Sequence, residues 1–381
     1  MKRALFKPEH EDFRESVRTF IAREAVPYAA EWEERGMVDA AFWRKAGELG
    51  FLGFMVPEVY GGLGLVDFRF NAILTEEMVK AQVGGDNFSM QNDIISPYLV
   101  DDCDEEQKKR WLPSFARGEL IAAIAMTEPE AGSDLRAIGA TARRTDGGYL
   151  LNGSKTFITS GIQAGLVIIA AQLDKAGITL FAVEDGTDGF EKGRKLEKVG
   201  RRAQDTAELF FTDVEVPAEN LIGAEGGGME LLKHHLAQER LSIAVTAVAA
   251  ANTAFELTKT YCGERRSFGR SINSHQAVRF MLAEIGVKCD LCTKYLDRHI
   301  EAHLKGELTA VDAARLKLAT TEMEFTVIDT CVQLHGGYGF MEEYPIARMW
   351  RDCRAQRIYG GTSEIMKEII GQDIVRESRG S

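Results

Sequence analysis

The chain has 381 residues, of which 45% are apolar and 27% are charged. That composition is ordinary for a soluble globular protein, and the length allows two or three domains around a large core. The net charge of −12 argues against a nucleic-acid-binding protein, which would be basic overall, although it is compatible with a local basic pocket for a phosphorylated ligand.

Residues 1–120 have the apolar spacing of helices, with a period of 3.6 residues. The predicted helices are 11–28, 40–49, 68–82 and 104–117. A run of only three apolar residues, 4–6, precedes Lys7 and Pro8, which is too short for the apolar region of a signal peptide. We therefore expect a protein of the bacterial cytoplasm, or of the mitochondrial matrix if the chain is the mature form of a eukaryotic protein.

The sequence changes in character near residue 120. Short segments of β-favouring residues alternate there with turns such as Asp146-Gly147-Gly148 and Asn152-Gly153. The predicted strands are 120–126, 148–151, 155–159, 166–172, 178–183 and 207–216. Because no helices alternate with these strands, we expect a β-barrel-like middle domain over residues 121–225 rather than a parallel sheet.

From residue 226 onward the pattern is helical again. The predicted helices are 229–262, 275–304 and 310–334, and Gly336 and Gly337 would end the last of them. The most apolar segment, 241–255, is rich in alanine, is interrupted by polar residues and is too short to span a membrane. The expected fold class is α+β, mainly α, with a helical domain (1–120), the β domain (121–225) and a C-terminal four-helix bundle (226–381).

Neither cysteine nor histidine spacing predicts a metal site. Six cysteines are scattered along the chain, as is usual in a reducing compartment. The single CxxC at 289–292 has no second pair and lies in a helical pattern. His299 and His303 are one helical turn apart, but the zinc-protease pattern needs a glutamate directly after the first histidine, where this chain has Ile300.

Two segments carry the functional signal. Residues 125–134 leave a strand and enter a turn of small residues that can present N–H groups and hydroxyls to a ligand. Residues 333–340 place glycines directly after a helix, where the backbone can approach another molecule closely. Either alone could be an ordinary surface turn or a helix cap. Together, in this order, they resemble the two sequence signatures of the acyl-CoA dehydrogenases, and the likeness extends over essentially the whole chain. The resemblance is closest to the long-chain type, with which the chain shares the turn 360–362 and a similar sequence at 204–211.

This resemblance implies an FAD-dependent enzyme with electron-transferring flavoprotein as acceptor, assembled as a homotetramer that is a dimer of dimers. From the β domain, the flavin would be lined by Met126, Thr127, Ser133, Phe157, Ile158 and Thr159. A neighbouring subunit would contribute Arg265, Phe268, Gln276, Gln333, Gly336 and Gly337. The adenosine end would contact Thr362 and Glu364, and the substrate would contact Ser133, Arg240 and Gly361.

Many members of that family carry their catalytic carboxylate where this chain has Gly360, which cannot accept a proton. The reaction needs a carboxylate that removes the α-proton and donors to the thioester oxygen. Resemblance to the long-chain and isovaleryl branches transfers the role of base to Glu239, although a helical glutamate is more commonly an ion-pair partner. The N–H of Gly360 would remain available to the thioester oxygen.

The expected function is thus that of an acyl-CoA dehydrogenase. Glu239 would abstract the α-proton and a β-hydride would go to flavin N5, giving a trans-2-enoyl-CoA from a medium, long or branched acyl chain. Two alternatives stay open: a flavoprotein of the same fold with other chemistry, as an oxidase or a desulfinase, and a catalytically silent acyl-CoA-binding relative. No nucleic acid, metal or membrane span is expected.

Overall fold

A computed structural model describes residues 3–83 and 87–379. Its N-terminal part is helical. The helices are α1 (Pro8–Glu24), α2 (Ala29–Arg35), α3 (Ala40–Glu48), α4 (Phe68–Ala81), the single turn α5 (Asn87–Ser89) and α6 (Glu105–Ala116). Two π-helical turns, Met90–Ile95 and Tyr98–Asp102, join α5 to α6. A period of 3.6 residues cannot reveal these turns, since each holds more residues per turn than an α-helix.

Aromatic packing holds these helices together. The rings of Phe20 and Trp32 lie 5.3 and 4.9 Å from that of Phe42, and Trp43 packs on Phe88 at 5.2 Å. All five side chains are buried, and aromatic pairs of this kind, stacked or edge-to-face, add to the free energy of apolar burial. This core holds α1, α2, α3 and α5 together, and Leu74 and Met78 of α4 pack into it.

The middle of the chain forms one eight-stranded sheet, mostly antiparallel. The strands are β1 (Ala122–Ala125), β2 (Thr141–Thr145), β3 (Gly148–Thr159), β4 (Leu166–Leu173), β5 (Gly177–Glu184), β6 (Phe190–Lys195), β7 (Thr206–Pro217) and β8 (Leu221–Ile222). Their order is β6-β7-β3-β2-β4-β5-β8, with β1 paired parallel to β4. The prediction of two strands at 148–151 and 155–159 was wrong, because β3 is continuous and accommodates two bulges instead. The polar strands β2 and β6 were not predicted, since their exposed residues lack apolar alternation.

The C-terminal part is helical. Its helices are α7 (Gly228–Glu264), α8 (Gln276–Leu304), α9 (Ala310–His335), α10 (Pro345–Cys353) and α11 (Ser363–Ser378). A small hairpin, Arg266–Ser267 with Arg270–Ser271, follows α7. Gly336 ends α9 as predicted, with a φ of +61°. By length and apolar composition α7 could cross a bilayer, but 72% of its most apolar window is buried inside the protein, as in a core helix.

The predicted fold class is confirmed: a helical domain, a sheet domain and a second helical domain follow one another. The domain boundaries at residues 120 and 225 stay a prediction. All six cysteines are free, and only Cys292 is even partly exposed. Within residues 3–83 and 87–379, no three His, Cys, Asp or Glu side chains come close enough together to hold a metal ion.

Candidate active site

The turn before α11 has a backbone shape that only glycine adopts easily. Gly360 and Gly361 have φ angles of +62° and +92°, in the left-handed region that other residues avoid. A Cβ atom added to Gly360 would lie 2.4 Å from Ile243 Cδ1, which is far inside van der Waals contact. The backbone conformation therefore favours glycine at position 360, and any side chain there would also have to displace the terminal methyl of Ile243.

Glu239 occupies the space beside this turn. It is half-buried on α7, and its Oε1 lies 3.3 Å from the point where a Cβ of Gly360 would stand. Burial raises the pKa of the Glu239 carboxyl, while the charges of Arg240 and Lys317 oppose that rise. The side chain thus presents a carboxylate of raised basicity at the glycine turn.

Two buried cations hold the carbonyls of the turn. Lys317 Nζ donates to the Tyr359 carbonyl at 2.7 Å and also to the Gly361 carbonyl. Arg240 Nε donates to the Gly360 carbonyl between them at 3.4 Å. The N–H groups of Gly360 and Gly361 have no acceptor anywhere in the described part of the chain. The turn therefore offers free donors beside the Glu239 carboxylate, the pairing that a thioester with an acidic α-proton needs.

The second group of predicted residues comes together where β1 and β3 meet. Lys155 Nζ donates to the Met126 carbonyl at 3.0 Å, and the Thr156 N–H donates to the Thr127 carbonyl at 2.9 Å. Lys155 is fully buried and pairs with Glu128 at 2.7 Å. These bonds fix residues 126–127 next to the bulge of β3.

At this bulge an aromatic ring is exposed. Phe157 has a φ of +60° and is 67% exposed, whereas the side chain of its neighbour Ile158 is buried in the sheet core. Thr159 is half-buried, and Ser133 lies exposed in the loop after β1. An exposed ring beside a threonine hydroxyl and fixed main-chain groups suits a planar heteroaromatic cofactor. Any contact from Ile158 would come from its backbone.

The third group lies at the far end of α7. Arg265, Gln276, Gln333, Gly336 and Gly337 are exposed there, together with Phe268, which is 94% exposed. The Arg265 guanidinium lies 5.2 Å from the centre of the Tyr338 ring. At about 1.5 Å of rise per residue, Glu239 and Arg265 are about 39 Å apart along α7, so one small ligand cannot contact both in the same chain.

Thr362 and Glu364 follow the glycine turn directly. Thr362 is the N-cap of α11, where its Oγ1 accepts the Ile365 N–H at 3.2 Å. Glu364 is exposed in the first helical turn, where its own backbone N–H lowers the pKa of its carboxyl. A carboxylate that is stabilised and exposed in this way is a poorer base than Glu239.

Sequence reasoning missed the charged residues that support the site, namely Lys317, Lys155 and Glu128. A lone charged residue in a helix or strand usually indicates a solvated surface. One signal was available for Lys317: it falls on the same helical face as the buried Ala313 and Thr320. A charge on the apolar side of a predicted helix is therefore informative.

Comparison with known proteins is consistent along the whole chain. Family models match in chain order: the acyl-CoA dehydrogenase N-terminal domain at residues 7–119, the middle domain at 123–214 and the C-terminal domain at 226–375. The mitochondrial long-chain specific acyl-CoA dehydrogenase of Sus scrofa is 44% identical over 98% of this chain and 88% of its own length.

Solved structures agree. The crystal structure of an acyl-CoA dehydrogenase from Geobacillus kaustophilus superposes with a TM-score of 0.96 at 46% identity, covering 98% of this chain and all of that one. An acyl-CoA dehydrogenase from Bacillus anthracis, complexed with FAD, has a TM-score of 0.92 at 32% identity, covering 99% of this chain and 69% of that one.

Proposed function

This chain belongs to the acyl-CoA dehydrogenase family and is an acyl-CoA dehydrogenase with a flavin cofactor, and from that premise we propose that Glu239 is the base that takes the α-proton of the substrate. One observation carries the proposal: the Glu239 carboxylate lies beside Gly360, within 3.3 Å of where a Cβ at that position would stand. The turn itself has no carboxylate at position 360, and Glu239 of α7 places one beside it.

The chemistry follows from the surroundings of Glu239. The α-proton of a thioester is only weakly acidic, so a base of raised pKa is better matched to it than an ordinary carboxylate. As the proton leaves, negative charge builds on the thioester oxygen, and the free Gly360 N–H can donate to that oxygen. Base and donor lie next to each other, so one bound thioester can engage both.

FAD is the flavin we propose, and it would supply the acceptor for the β-hydride. Met126, Thr127, Phe157 and Thr159 would hold its ring system, and Ser133 and the backbone of Ile158 would add contacts. The nucleotide part would contact a neighbouring subunit at the corner formed by Arg265, Phe268, Gln276, Gln333, Gly336 and Gly337. Thr362 and Glu364 would contact the adenosine end, and Arg240 and Gly361 the substrate. We further propose a dimer of dimers that passes electrons to electron-transferring flavoprotein.

The decisive variant is Glu239→Gln, which keeps shape and removes the base. Anaerobic mixing of the FAD-loaded variant with an acyl-CoA should leave the flavin absorbance unbleached, because no group takes the proton. Glu256→Gln is the matched control, since it makes the same change on α7 at an exposed carboxylate that pairs with Lys259 at 2.7 Å, and it should bleach normally.

Bleaching of Glu239→Gln at an unimpaired rate would exclude Glu239 as the base. The wild-type protein separates the alternatives in the same assay. Release of peroxide on aerobic turnover would identify an oxidase, and tight acyl-CoA binding with no bleaching at any chain length would identify a silent binder.

A further inference from the structure

We propose that Lys317 is a positioning residue for the reaction: its ammonium ties down the glycine turn so that the Gly360 N–H faces the ligand, and its charge holds the Glu239 carboxylate in place. The inference rests on the proposed role of Glu239. It gives a function to a buried lysine that sequence reasoning passed over.

The first observation is the set of bonds that Lys317 makes. Its Nζ donates to the carbonyls on both sides of Gly360, those of Tyr359 and Gly361. With Arg240 on the carbonyl of Gly360 itself, three successive carbonyls accept hydrogen bonds from buried cations. Among residues 3–83 and 87–379, the N–H groups of Gly360 and Gly361 find no protein acceptor. Fixing the carbonyls of a flexible glycine pair fixes the direction of those donors.

The second observation is an imbalance of charge. Lys317 is only 1% exposed, yet it forms no salt bridge with a carboxylate in the described part of the chain. A buried charge without a counter-charge is costly, and it is usually balanced by a nearby group of opposite sign. A Cβ added to Gly360 would lie 3.8 Å from Lys317 Cε and 3.3 Å from Glu239 Oε1. The side chains of Lys317 and Glu239 therefore both contact the space beside this glycine.

The other charged groups here do not replace Glu239 as that counter-charge. Glu322, on α9, is already paired with Arg357 at 2.8 Å and accepts the Ser363 hydroxyl. Arg240 has the same sign as Lys317 and lowers the pKa of the lysine further, after the larger effect of burial.

Two tyrosines face the base from other elements. Tyr98, in the second π-helical turn, and Tyr359, in the glycine turn, both have raised pKa values, to about 12 for Tyr359, chiefly through burial. Both are therefore neutral at the pH of any assay. The Glu239 carboxylate is therefore the counter-charge of Lys317, and the two charged groups stabilise each other.

The test replaces Lys317 with methionine, which keeps the stem and removes the charge. Without the cation the pKa of Glu239 rises further, so Glu239 is protonated up to a higher pH. In FAD-loaded protein, the acid limb of the flavin-bleaching rate, normalised to its own plateau, should move by about one pH unit to higher pH. Lys317→Arg, which retains the charge, should keep the limb near its wild-type position.

Lys198→Met is the matched control. Lys198 also has a pKa lowered to about 8 by burial and also donates to a backbone carbonyl, that of Gln204, but in the β domain. Its loss should lower the thermal midpoint without moving the acid limb. If Lys317→Met does not fold, Lys317→Gln replaces it in the test. Glutamine keeps a hydrogen-bond donor but carries no charge, so we expect the same shift of the acid limb.

A second measurement does not depend on turnover. The thermal midpoints of Lys317→Met, Glu239→Gln and the double variant form a mutant cycle. We expect the double variant to be more stable than the two single losses predict, because each single change leaves a buried charge without its counterpart. An unmoved acid limb together with additive midpoints would overturn the role of Lys317, whereas normal bleaching by Glu239→Gln would overturn the role of the base itself.

Discussion

At the scale of single residues, Gly360 and Ile243 together determine where a base can stand. A carboxylate on residue 360 would need a Cβ 2.4 Å from Ile243 Cδ1 and a left-handed backbone that costs roughly 1–2 kcal/mol for a residue with a side chain. The Glu239 carboxylate oxygen lies 3.3 Å from that Cβ position, so a second carboxylate on residue 360 would crowd it.

Glu324 allows a prediction on stability. It is completely buried on α9, where Gln356 donates to its Oε1 at 2.8 Å and its Oε2 has no partner within the described residues. Burial raises the pKa of this carboxyl well above its usual value, against the opposing charge of Arg201. The folded state therefore keeps a proton that the unfolded chain releases above about pH 4.5. This group lowers stability progressively as the pH rises from there.

Glu324→Gln removes that pH-dependent cost while keeping the size of the side chain. We expect the free energy of unfolding to rise by on the order of 1–2 kcal/mol at pH 8, with a much smaller effect at pH 5. Thermal midpoints at the two pH values measure the difference. Glu322→Gln, on the same helix but paired with Arg357, should not gain stability at pH 8. Parallel shifts of Glu324→Gln at both pH values would contradict the assignment of a neutral carboxyl.

The functional roles of single residues differ in how well the sequence alone predicts them. Glu239 and Phe157 were predicted because they lie within segments that resemble a family. The roles of Lys317 and Glu324 depend on the packing of α9 against α7 and the final turn, and no local pattern specifies that contact. The sequence predicts that both residues lie on the buried face of a helix, but it does not predict which groups they face.

At the scale of secondary-structure elements, the bulge in β3 shows the same limit. Turn-forming residues at 152–153 suggested a break, and two strands were predicted. Pairing with β7 over the length of β3 keeps the strand continuous, so the extra residues are accommodated as bulges. One of these bulges turns Phe157 outward. Long-range pairing determined the outcome, and it is absent from a single-segment pattern.

Helix α7 supports a prediction on chain length. Thr246 and Ala250 lie about two and three turns beyond Glu239 on the same face, roughly 10 and 16 Å along the axis. A small cavity of about 90 Å³ adjoins both residues, and its lining combines Met78 and Met349 with charged side chains such as Glu324. We propose that the tail of a long acyl chain runs along this face of α7 as far as Ala250, whereas a short chain ends before it.

Ala250→Phe would place a large side chain on this face of α7. We expect kcat/KM for long acyl-CoA substrates to fall about tenfold or more, with little change for four- and six-carbon substrates. A series of acyl-CoA esters measures the dependence, and Ala250→Ser, which keeps the size of the side chain, is the control. An equal loss at every chain length would place the acyl tail elsewhere.

At the scale of the whole molecule, the length of α7 separates two groups of residues that a flavin would need. The exposed ring of Phe157 lies in the sheet domain, whereas Arg265 and Phe268 lie at the far end of α7, about 39 Å along the helix from Glu239. Each group is exposed on its own, and each lacks the other half of a dinucleotide site. The two groups would form one complete dinucleotide site if two copies of the chain associated, with one copy contributing the Phe157 group and the other contributing the Arg265 group.

That arrangement predicts complementation between two inactive variants. Glu239→Gln removes the base, and Arg265→Glu places a negative charge where the pyrophosphate would lie. In a mixed dimer, one site combines both defects, while the other combines an intact base with an intact nucleotide corner. Co-expressed variants that assort at random should therefore regain about a quarter of wild-type activity.

Differently tagged copies of the two variants, purified through both tags, isolate the mixed oligomers for assay. The separately purified parents, mixed only in the cuvette, are the control, since they cannot exchange halves without dissociating. A site contained within one subunit would leave the mixed oligomer as inactive as its parents, because neither chain then holds a complete set. Activity in the mixed oligomer alone requires that the base and the Arg265 corner of one site come from different chains.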